Sequence, residues 1–453
     1  MTTSHRKLAL LSLLLTTSAL GSQDSLFLQD PNPPYDRTKN DKIGFVFEIV
    51  RHGARAPLSE LTQPFNVPAG MLTSQGQRQR YLLGKLNRQR YIEEAGLLDP
   101  VFNPQQLYIQ STYFFRTVQS SYAEMMGMFP PIKDTPTMTE GEKQSLKTGK
   151  GMPKLKIRNM KGTYDEETPL ELNDDPDLSS QYVPVFTYYE RNPKDDVFYY
   201  GCHYTEEAQK IRQTINDTFR DEFYLMPITR GAIQRAFSFS NYFSYHMSYA
   251  EFNTHSDIIL SETFENLPKR VPFYTEEEWH GIRMLQKYIL ITPFEGKPRS
   301  IYITKMFRKP LIAMEFRYQE IVKGLYDNTD TLRYYIYSAH DTQIANVMEF
   351  LFLSDYDGNR HQYSDVPYAS TLFFELHYDL NCLATSDKDK LRDCFSVHLT
   401  HNGEVVYLPT CVQNNIKKGN KAHECSYQDF LDHITAVSFQ GDYMKECAAD
   451  YLG

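Results

Sequence analysis

The segment IGFVFEIVRHGARAP, residues 43–57, joins an apolar run directly to a cationic turn. β-Branched and aromatic side chains dominate residues 43–50, which is typical of a strand buried in a sheet that is covered on both faces. Arg51, His52 and Arg55 follow at once, at the place where the carboxyl end of a parallel strand opens onto the ligand-binding edge of a sheet. The sequence therefore predicts a buried strand with a charged site at its end.

Helical and strand patterns alternate after this turn. Residues 72–92 carry an apolar stripe at helical spacing, residues 106–112 (QLYIQST) have the pattern of a strand, and residues 117–129 (TVQSSYAEMMGMF) have that of a second helix. Such alternation is typical of a parallel α/β sheet. We therefore predict an α/β fold, with a mostly parallel central sheet flanked by helices.

Residues 146–300 differ in character from the sequence on either side. They combine an acidic run, DEETPLELNDDPDL, with long helical patterns at 205–224 and 231–249. Thr275 and Glu278 have the spacing of a capping box at the start of a further helix. This composition predicts an inserted, mainly helical cap.

Strand patterns resume after the cap, at residues 331–339, 371–380 and 394–408. We expect the cap to interrupt one α/β domain in sequence and not in space. The predicted division is a signal peptide at residues 1–21, a core made of residues 22–145 and 301–453, and a cap at residues 146–300.

The first 21 residues have the pattern of an export signal, with a charged head, the apolar run LALLSLLLTTSAL and small residues near Gly21. That run is shorter than the roughly 20 residues that span a bilayer, and the C-terminal KECAADYLG has no apolar tail. Removal of residues 1–21 lowers the formal net charge by two, from −9 to −11, which disfavours binding to nucleic acid or to an anionic membrane. We expect a soluble protein, secreted or in the lysosomal lumen, with no membrane span in the mature chain and with glycosylation at Asn216.

The cysteine count fits the same oxidising compartment. The number is even and no C-x-x-C pair occurs, so disulfides are favoured over a zinc site. The six positions are Cys202, Cys382, Cys394, Cys411, Cys425 and Cys447. Five histidines elsewhere have no partner at metal-ligand spacing: His203, His246, His255, His280 and His398. We predict no metal and no organic cofactor.

The residue types in the cationic turn suit a phosphate ligand. Two guanidinium forks within one loop match the oxygens of a phosphate dianion, and an imidazole between them lies where phosphorus would be. Gly53 allows the main chain to pass close to the ligand. The alternative is a solvated basic loop, but the pattern R-H-G-x-R-x-P fixes five positions, so a chance match is expected in only about one chain in ten thousand of this length.

Together with three later motifs, this turn resembles the histidine acid phosphatase family, part of the phosphoglycerate-mutase-like superfamily. The segments LTSQGQRQRYLLG (72–84), YIQSTYFFRTVQSS (108–121), SAHDT (338–342) and PYAS (367–370) are similar to family motifs and occur in family order. The resemblance implies that Arg116 is a further phosphate-binding arginine. One departure is Tyr113, where the family has an aspartate.

The resemblance also implies roles for the site residues. His52 is the expected nucleophile that forms a phosphohistidine, and nearby arginines keep its imidazole neutral. The expected phosphate-binding residues are Arg51, Arg55, Arg116 and His340. Asp341 is the expected proton donor to the leaving oxygen, which requires an acidic medium or the charge of the substrate to raise its pKa.

Disulfide pairing and substrate stay open at this level. The cysteine positions differ from the pattern expected for the vertebrate acid phosphatases of this family. We therefore expect the pairs Cys202–Cys447, Cys382–Cys394 and Cys411–Cys425, one of fifteen possible connectivities. The expected function is hydrolysis of small phosphate monoesters, with a homodimer as a possibility that the resemblance raises. The alternatives are a catalytically silent secreted phospholigand-binding protein and a phytase-like inositol polyphosphate phosphatase. The cap shows no dense basic pocket in sequence, which weakly disfavours phytate.

Overall fold

The computed structural model describes most of the predicted core and part of the predicted cap. The described residues are 41–59, 65–131, 181–189, 192–198, 249–267, 275–355, 357–418 and 425–448, with 141 and 210. The predicted signal peptide, the helical patterns at 205–224 (Lys210 excepted) and 231–248, Cys202 and Asn216 lie outside them. The division into core and cap stays a prediction.

The described strands form one mixed sheet in the order β3-β2-β4-β1-β5-β6-β7, with β8 paired to β6. The strands are β1 (Asp41–Arg51), β2 (Leu107–Ser111), β3 (Phe186–Thr187), β4 (Tyr334–Ala339), β5 (Thr371–Asp379), β6 (Phe395–His401), β7 (Glu404–Val405) and β8 (Cys425–Ser426). Strands β3, β2, β4 and β1 are parallel, as predicted. From β5 onward the pairing is antiparallel, which the alternation of patterns did not indicate.

Helices cover the sheet. The α-helices are α1 (Ser74–Asn87), α2 (Phe115–Met128), α3 (Tyr249–Phe264), α4 (Glu276–Leu290), α5 (Lys297–Val322), α6 (Asp341–Leu351), α7 (Leu380–Thr385), α8 (Pro409–Lys418), α9 (Tyr427–Val437) and α10 (Tyr443–Ala448). A π-helical segment, Arg88–Glu94, extends α1. Short 3-10 turns lie at Thr292–Phe294, Tyr363–Asp365 and Lys388–Cys394. The predicted capping box of Thr275 and Glu278 is confirmed at the start of α4.

The central strand β1 is buried on both faces, which explains its unbroken apolar pattern. Phe47 and Ile49 point into a core that includes Ile303 of α5 and Ile344 of α6. Neighbouring β1 residues such as Val46 and Val50 point the other way, into a core with Leu83 of α1 and Met125 of α2. Because side chains alternate along a strand, one such run supplies two cores. The sheet is thereby fixed between the two helix layers.

The described disulfides follow the expected pairing. Cys382 is bonded to Cys394 and Cys411 to Cys425, so these two predictions are confirmed. Cys447 is also disulfide-bonded, while Cys202, its predicted partner, is outside the described residues. Among the described helices, none is long and apolar enough to cross a bilayer.

Candidate active site

Three parallel strands bring the predicted site residues to one edge of the sheet. Arg51 at the end of β1 pairs in register with Ala339 at the end of β4, so His52 and His340 leave the sheet side by side. Their rings lie 5.4 Å apart, centre to centre. Thr112 follows β2, and its hydroxyl lies 3.0 Å from Nε2 of His340. Motifs that are far apart in the sequence therefore form a single cluster.

The cationic loop, residues 51–57, packs tightly against the start of α1. A Cβ atom on Gly53 would lie 2.2 Å from the carbonyl oxygen of Gly76, and one on Gly76 would lie 2.0 Å from that of Ala54. Both contacts are too short for any residue but glycine. The main-chain N–H of Ala54 donates to Oε1 of Gln79 at 2.8 Å. Glycines at both positions thus let the helix approach the loop.

His52 is held in one tautomer. Its Nδ1 lies 2.8 Å from the carbonyl oxygen of Gly53, an acceptor, so Nδ1 carries the proton and Nε2 keeps its lone pair. The residue is 2% exposed. Burial and the charges of Arg116 and Arg51 lower the pKa of His52 well below its usual value. The ring is consequently neutral in acidic as well as neutral solution.

Arg51 and Asp341 form a buried ion pair beside this ring. Nη2 of Arg51 lies 2.9 Å from Oδ2 of Asp341, and Nη1 donates to the carbonyl oxygen of Val366 at 2.7 Å. The hydroxyl of Tyr363 also donates to Oδ2 of Asp341, at 2.8 Å. Burial raises the pKa of Asp341, but the charges of Arg51 and Arg283 outweigh burial and hold it well below its usual range. The carboxyl is therefore ionised in the ligand-free protein even in an acidic medium.

Arg116 and His340 form the other wall of the cluster. Nη2 of Arg116 lies 3.4 Å from Nδ1 of His340, and burial and the charge of Arg55 lower the pKa of Arg116 to about 9. Burial and Arg116 also lower the pKa of His340 well below its usual value. The guanidinium of Arg116 lies over the ring of Phe114, 4.5 Å from its centre. No carboxylate of the described residues pairs with Arg116, and a largely buried cation of this kind is a preformed site for an anion.

Arg55 has a partner that the sequence did not reveal. Its Nη1 and Nη2 donate to the two carboxylate oxygens of Asp257 at 3.0 and 2.7 Å. Asp257 lies on α3, in the predicted cap region, and its Oδ2 also accepts the main-chain N–H of Leu58 at 2.8 Å. Because 202 residues separate Asp257 from Arg55, no local pattern could have paired them.

Tyr363 and Tyr368 also contact site residues, and the sequence did not predict either of them. Tyr363 is the hydroxyl donor to Asp341, and the guanidinium of Arg51 lies over the Tyr368 ring, 4.5 Å from its centre. Tyr368 belongs to the segment PYAS, and that motif was the one signal available for it.

The charges of the cluster do not balance. Among the described residues, the guanidiniums of Arg51, Arg55 and Arg116 face two carboxylates, Asp257 and Asp341, and both imidazoles are neutral. The charge of Arg283, which also acts on Asp341, adds to the surplus. A buried surplus of cations with planar donor forks suits a tetrahedral dianion. Within the described part of the chain, no group of three or more His, Cys, Asp or Glu side chains is arranged to hold a metal ion.

Comparison with known proteins is consistent with this geometry. A model of the histidine phosphatase superfamily (branch 2) matches residues 62–402, more than half of the chain. Lysosomal acid phosphatase of Rattus norvegicus is 23% identical over 420 residues, which are 89% of this chain and 80% of that protein. Testicular acid phosphatase of Mus musculus is 39% identical over 95 residues, 19% of this chain and 22% of the relative. Lysophosphatidic acid phosphatase type 6 of Homo sapiens is 40% identical over 68 residues, 15% of this chain and 16% of the relative.

Two solved structures share the fold. The phytase of Hafnia alvei in complex with tartrate is 15% identical, with a TM-score of 0.50, and the match covers 88% of this chain and 98% of that one. The phytase of D. castellii is 14% identical, with a TM-score of 0.51, and the match covers 92% and 83%. These matches confirm the predicted fold class, and at this identity they concern the fold alone.

Proposed function

Because this chain belongs to the histidine phosphatase superfamily (branch 2), we propose that it hydrolyses phosphate monoesters through a phosphohistidine on His52. The relatives named acid phosphatases support the same class of enzyme, a phosphoric monoester hydrolase. The observation that carries the proposal is a neutral, buried imidazole with its Nε2 lone pair available, placed among three guanidiniums.

The arginines perform two tasks in this chemistry. Their charges disfavour the protonated form of His52, so the imidazole stays nucleophilic in the acidic media where an unperturbed histidine would be charged. Arg51, Arg55 and Arg116 also bind the phosphate and stabilise the charge that spreads over its equatorial oxygens in the transition state. His340 completes the phosphate site from the end of β4.

Asp341 becomes the proton donor only when substrate is bound. In the ligand-free protein Arg51 holds this carboxyl ionised, so acid in the medium alone does not load it. A phosphate dianion near Arg51 offsets that positive charge and raises the pKa of Asp341. The carboxyl then protonates the leaving oxygen as Nε2 of His52 bonds to phosphorus. In the second step the carboxylate takes a proton from water, whose oxygen attacks phosphorus and releases phosphate and free His52.

A first experiment measures turnover of p-nitrophenyl phosphate at pH 5 in the presence of EDTA. We expect phosphate release by the wild-type protein and a loss of about 10⁴- to 10⁶-fold in kcat for His52→Ala. A folded wild-type protein that binds inorganic phosphate and releases none from the ester would instead support the silent phospholigand-binding alternative.

A second experiment tests Asp341 through the leaving group. In Asp341→Asn we expect the rate of phosphoenzyme formation to fall far more for an alkyl phosphate than for p-nitrophenyl phosphate, because p-nitrophenolate leaves without a proton. A matched control is Asp389→Asn, an exposed carboxyl in the 3-10 turn Lys388–Cys394, at the opposite edge of the sheet from the site. Equal losses for both esters in Asp341→Asn would contradict the assignment.

The substrate and the compartment are finer parts of the proposal. Tyr113, Phe114 and Phe198 form an aromatic cluster next to His340, with Phe114 and Phe198 ring centres 5.1 and 5.9 Å from its own. Such a wall favours a monoester with an aromatic or apolar leaving group over an inositol polyphosphate, whose further phosphates need cations. A comparison of kcat/KM for phenyl phosphate and phytate tests this. Relatives named lysosomal acid phosphatases and the disulfides support a place in the lysosome or outside the cell.

A further inference from the structure

Three fully buried ionisable side chains lie beneath the cationic loop, and the proposed chemistry uses none of them. Glu48 is on β1, Arg80 on α1 and Glu124 on α2, and each is 0% exposed. Arg80 donates through Nη2 to Oε2 of Glu124. Asn87 donates through Nδ2 to Oε1 of Glu124 at 3.0 Å and to Oε2 of Glu48 at 3.2 Å. We name these four residues the buried carboxyl cluster.

One carboxyl of this cluster carries a proton. Two carboxyls face one guanidinium, and an unbalanced buried charge is strongly destabilising. Tyr334 donates to Oε2 of Glu48 at 2.6 Å, whereas Oε1 of Glu48 accepts no hydrogen bond among the described residues. Both oxygens of Glu124 accept strong donors, and burial and Glu124 raise the pKa of Glu48 well above its usual value. The proton therefore lies on Glu48, and Glu124 is the anion that pairs with Arg80.

The cluster reaches the active site through the main chain. Nη1 of Arg80 donates to the carbonyl oxygen of Arg51 at 3.0 Å. That carbonyl belongs to the peptide group that joins Arg51 to His52, so its orientation determines the directions in which the two side chains leave the main chain. One guanidinium thus joins the Arg51 carbonyl to the Glu124 carboxylate.

The next peptides of the loop are held by the same two helices. The hydroxyl of Ser120, on α2, accepts the N–H of Gly53 at 3.1 Å. Gln79, the neighbour of Arg80 on α1, accepts the N–H of Ala54 at 2.8 Å. Side chains of α1 and α2 thus bind three peptide groups around the nucleophile.

We infer that Arg80, paired with Glu124 and supported by protonated Glu48, is a positioning residue that aligns His52 for in-line attack. This inference rests on the proposed function. It predicts that loss of the hydrogen bond from Arg80 to the Arg51 carbonyl weakens binding of the transition state more than binding of phosphate.

The first test is Arg80→Lys, which keeps the charge opposite Glu124 but cannot also reach the Arg51 carbonyl with a planar fork. We expect kcat to fall by about 10- to 100-fold, as misplacements near 1 Å do in other enzymes. The affinity for vanadate, which adopts the five-coordinate geometry of the transition state, should fall by a similar factor. The affinity for inorganic phosphate should change by less than about threefold, since ground-state binding does not need in-line alignment.

Glu48→Gln is the matched control within the cluster. Its amide keeps a neutral group of the same shape, whose oxygen still accepts the hydroxyl of Tyr334, so kcat, vanadate affinity and melting temperature should stay close to wild type. A loss of kcat in Glu48→Gln as large as that in Arg80→Lys would contradict the assigned proton.

Gln79→Met keeps the inference testable if Arg80→Lys does not fold. It leaves the N–H of Ala54 without its acceptor, and we expect a fall of about three- to tenfold in kcat with a melting temperature lowered by only a few degrees, the effect of one lost hydrogen bond. Gln77→Met, an exposed position on the same helix, should have no effect. Wild-type kcat and vanadate affinity in a folded Arg80→Lys or, failing that, in Gln79→Met would overturn the inference. Vanadate binding needs no turnover, so a wild-type protein without activity would refute the proposed function and still leave the positioning role measurable.

Discussion

Two ionic clusters of this protein contain the same residue types, but their histidines have pKa values shifted in opposite directions. One is the cluster around His52, and the other is formed by Arg90, Glu375, His377 and Asp41. In the second cluster Arg90 donates through Nε and Nη2 to Glu375, and His377 contacts Asp41 at 2.8 Å and Glu375 at 3.0 Å. These carboxylates raise the pKa of His377 to about 9, while the arginines of the active site lower that of His52.

The difference lies in how the charges are balanced. Arg90 and protonated His377 face two carboxylates, so the second cluster is neutral and each charge has a partner. Among the described residues, the cluster around His52 has more guanidiniums than its two carboxylates can neutralise. We call a cluster with balanced charges closed and one with a surplus charge open. A closed cluster contributes stability, whereas an open cluster binds a ligand that balances its charge. The predictions below separate these two outcomes.

The largest effect is expected from Arg116→Met in the open cluster. We predict a fall of about 10⁴-fold in kcat/KM, within the range found when an arginine that stabilises a transferring phosphoryl group is removed. The free energy of unfolding should decrease by no more than about 1 kcal/mol, the size of the lost contact with the Phe114 ring. Burial and Arg55 already disfavour the charge of Arg116, so its loss relieves repulsion. Enzyme kinetics and urea denaturation of the same preparation check both parts.

The reverse pattern is expected from Arg90→Met in the closed cluster. The substitution leaves Glu375 buried beside His377 without its bidentate partner, and we predict a loss of about 3–5 kcal/mol in the free energy of unfolding. The kcat/KM of the folded fraction should be unchanged. Arg78→Met, at an exposed position of α1, is the matched control and should stay within about 0.5 kcal/mol of wild type. A large loss of kcat/KM in folded Arg90→Met would mean that the two clusters are coupled.

A pH titration of stability tests the charge of His377. Its folded pKa of about 9 is above the unfolded value, so its contribution is complete below about pH 6.5 and is lost as the pH rises toward 9. The difference in unfolding free energy between wild type and His377→Gln should therefore shrink by about 3 kcal/mol between pH 6 and pH 9.5. His398, stacked 3.8 Å from His377, has its pKa lowered to about 4 and does not titrate in this window. A difference independent of pH would contradict the ion-paired state of His377.

The smallest effect is stabilisation by inorganic phosphate. An open cationic cluster that binds phosphate gains about 2.7 kcal/mol at a concentration 100 times the dissociation constant. At the same phosphate concentration the gain should be much smaller in Arg116→Met and unchanged in His377→Gln. Thermal denaturation in phosphate and in chloride of equal ionic strength measures it. Equal stabilisation by both salts would indicate screening and no specific site.

The sequence predicted the parts of this molecule whose signals are local. The strand β1 and the loop that follows it are contiguous, so periodicity and residue type located His52 and two arginines together. Arg116, His340 and Asp341 required the family motifs, because the topology of the sheet, and no spacing along the chain, brings them to one edge. The antiparallel pairing of β5 with the central strand β1 was not predicted, since the apolar pattern of a strand does not encode its direction.

The missed contacts are those between distant polar residues. Asp257 contacts Arg55 across the fold, and neither residue's neighbours in sequence indicate the other. Glu48 occurs within an apolar run whose pattern predicts burial, and only the packing of α1 and α2 against β1 brings Asn87 to Glu48 and Arg80 to Glu124. A buried carboxyl in a strand pattern thus signals a partner without identifying it.

Covalent trapping at His52 tests the central claim most directly. The wild-type protein is mixed with phosphate-labelled p-nitrophenyl phosphate at pH 5 and quenched in alkali, where phosphohistidine survives, and the peptides are then separated. The account predicts label on the peptide that contains His52 and none in His52→Ala. Label on a different residue, or equal labelling of wild type and His52→Ala, would contradict it.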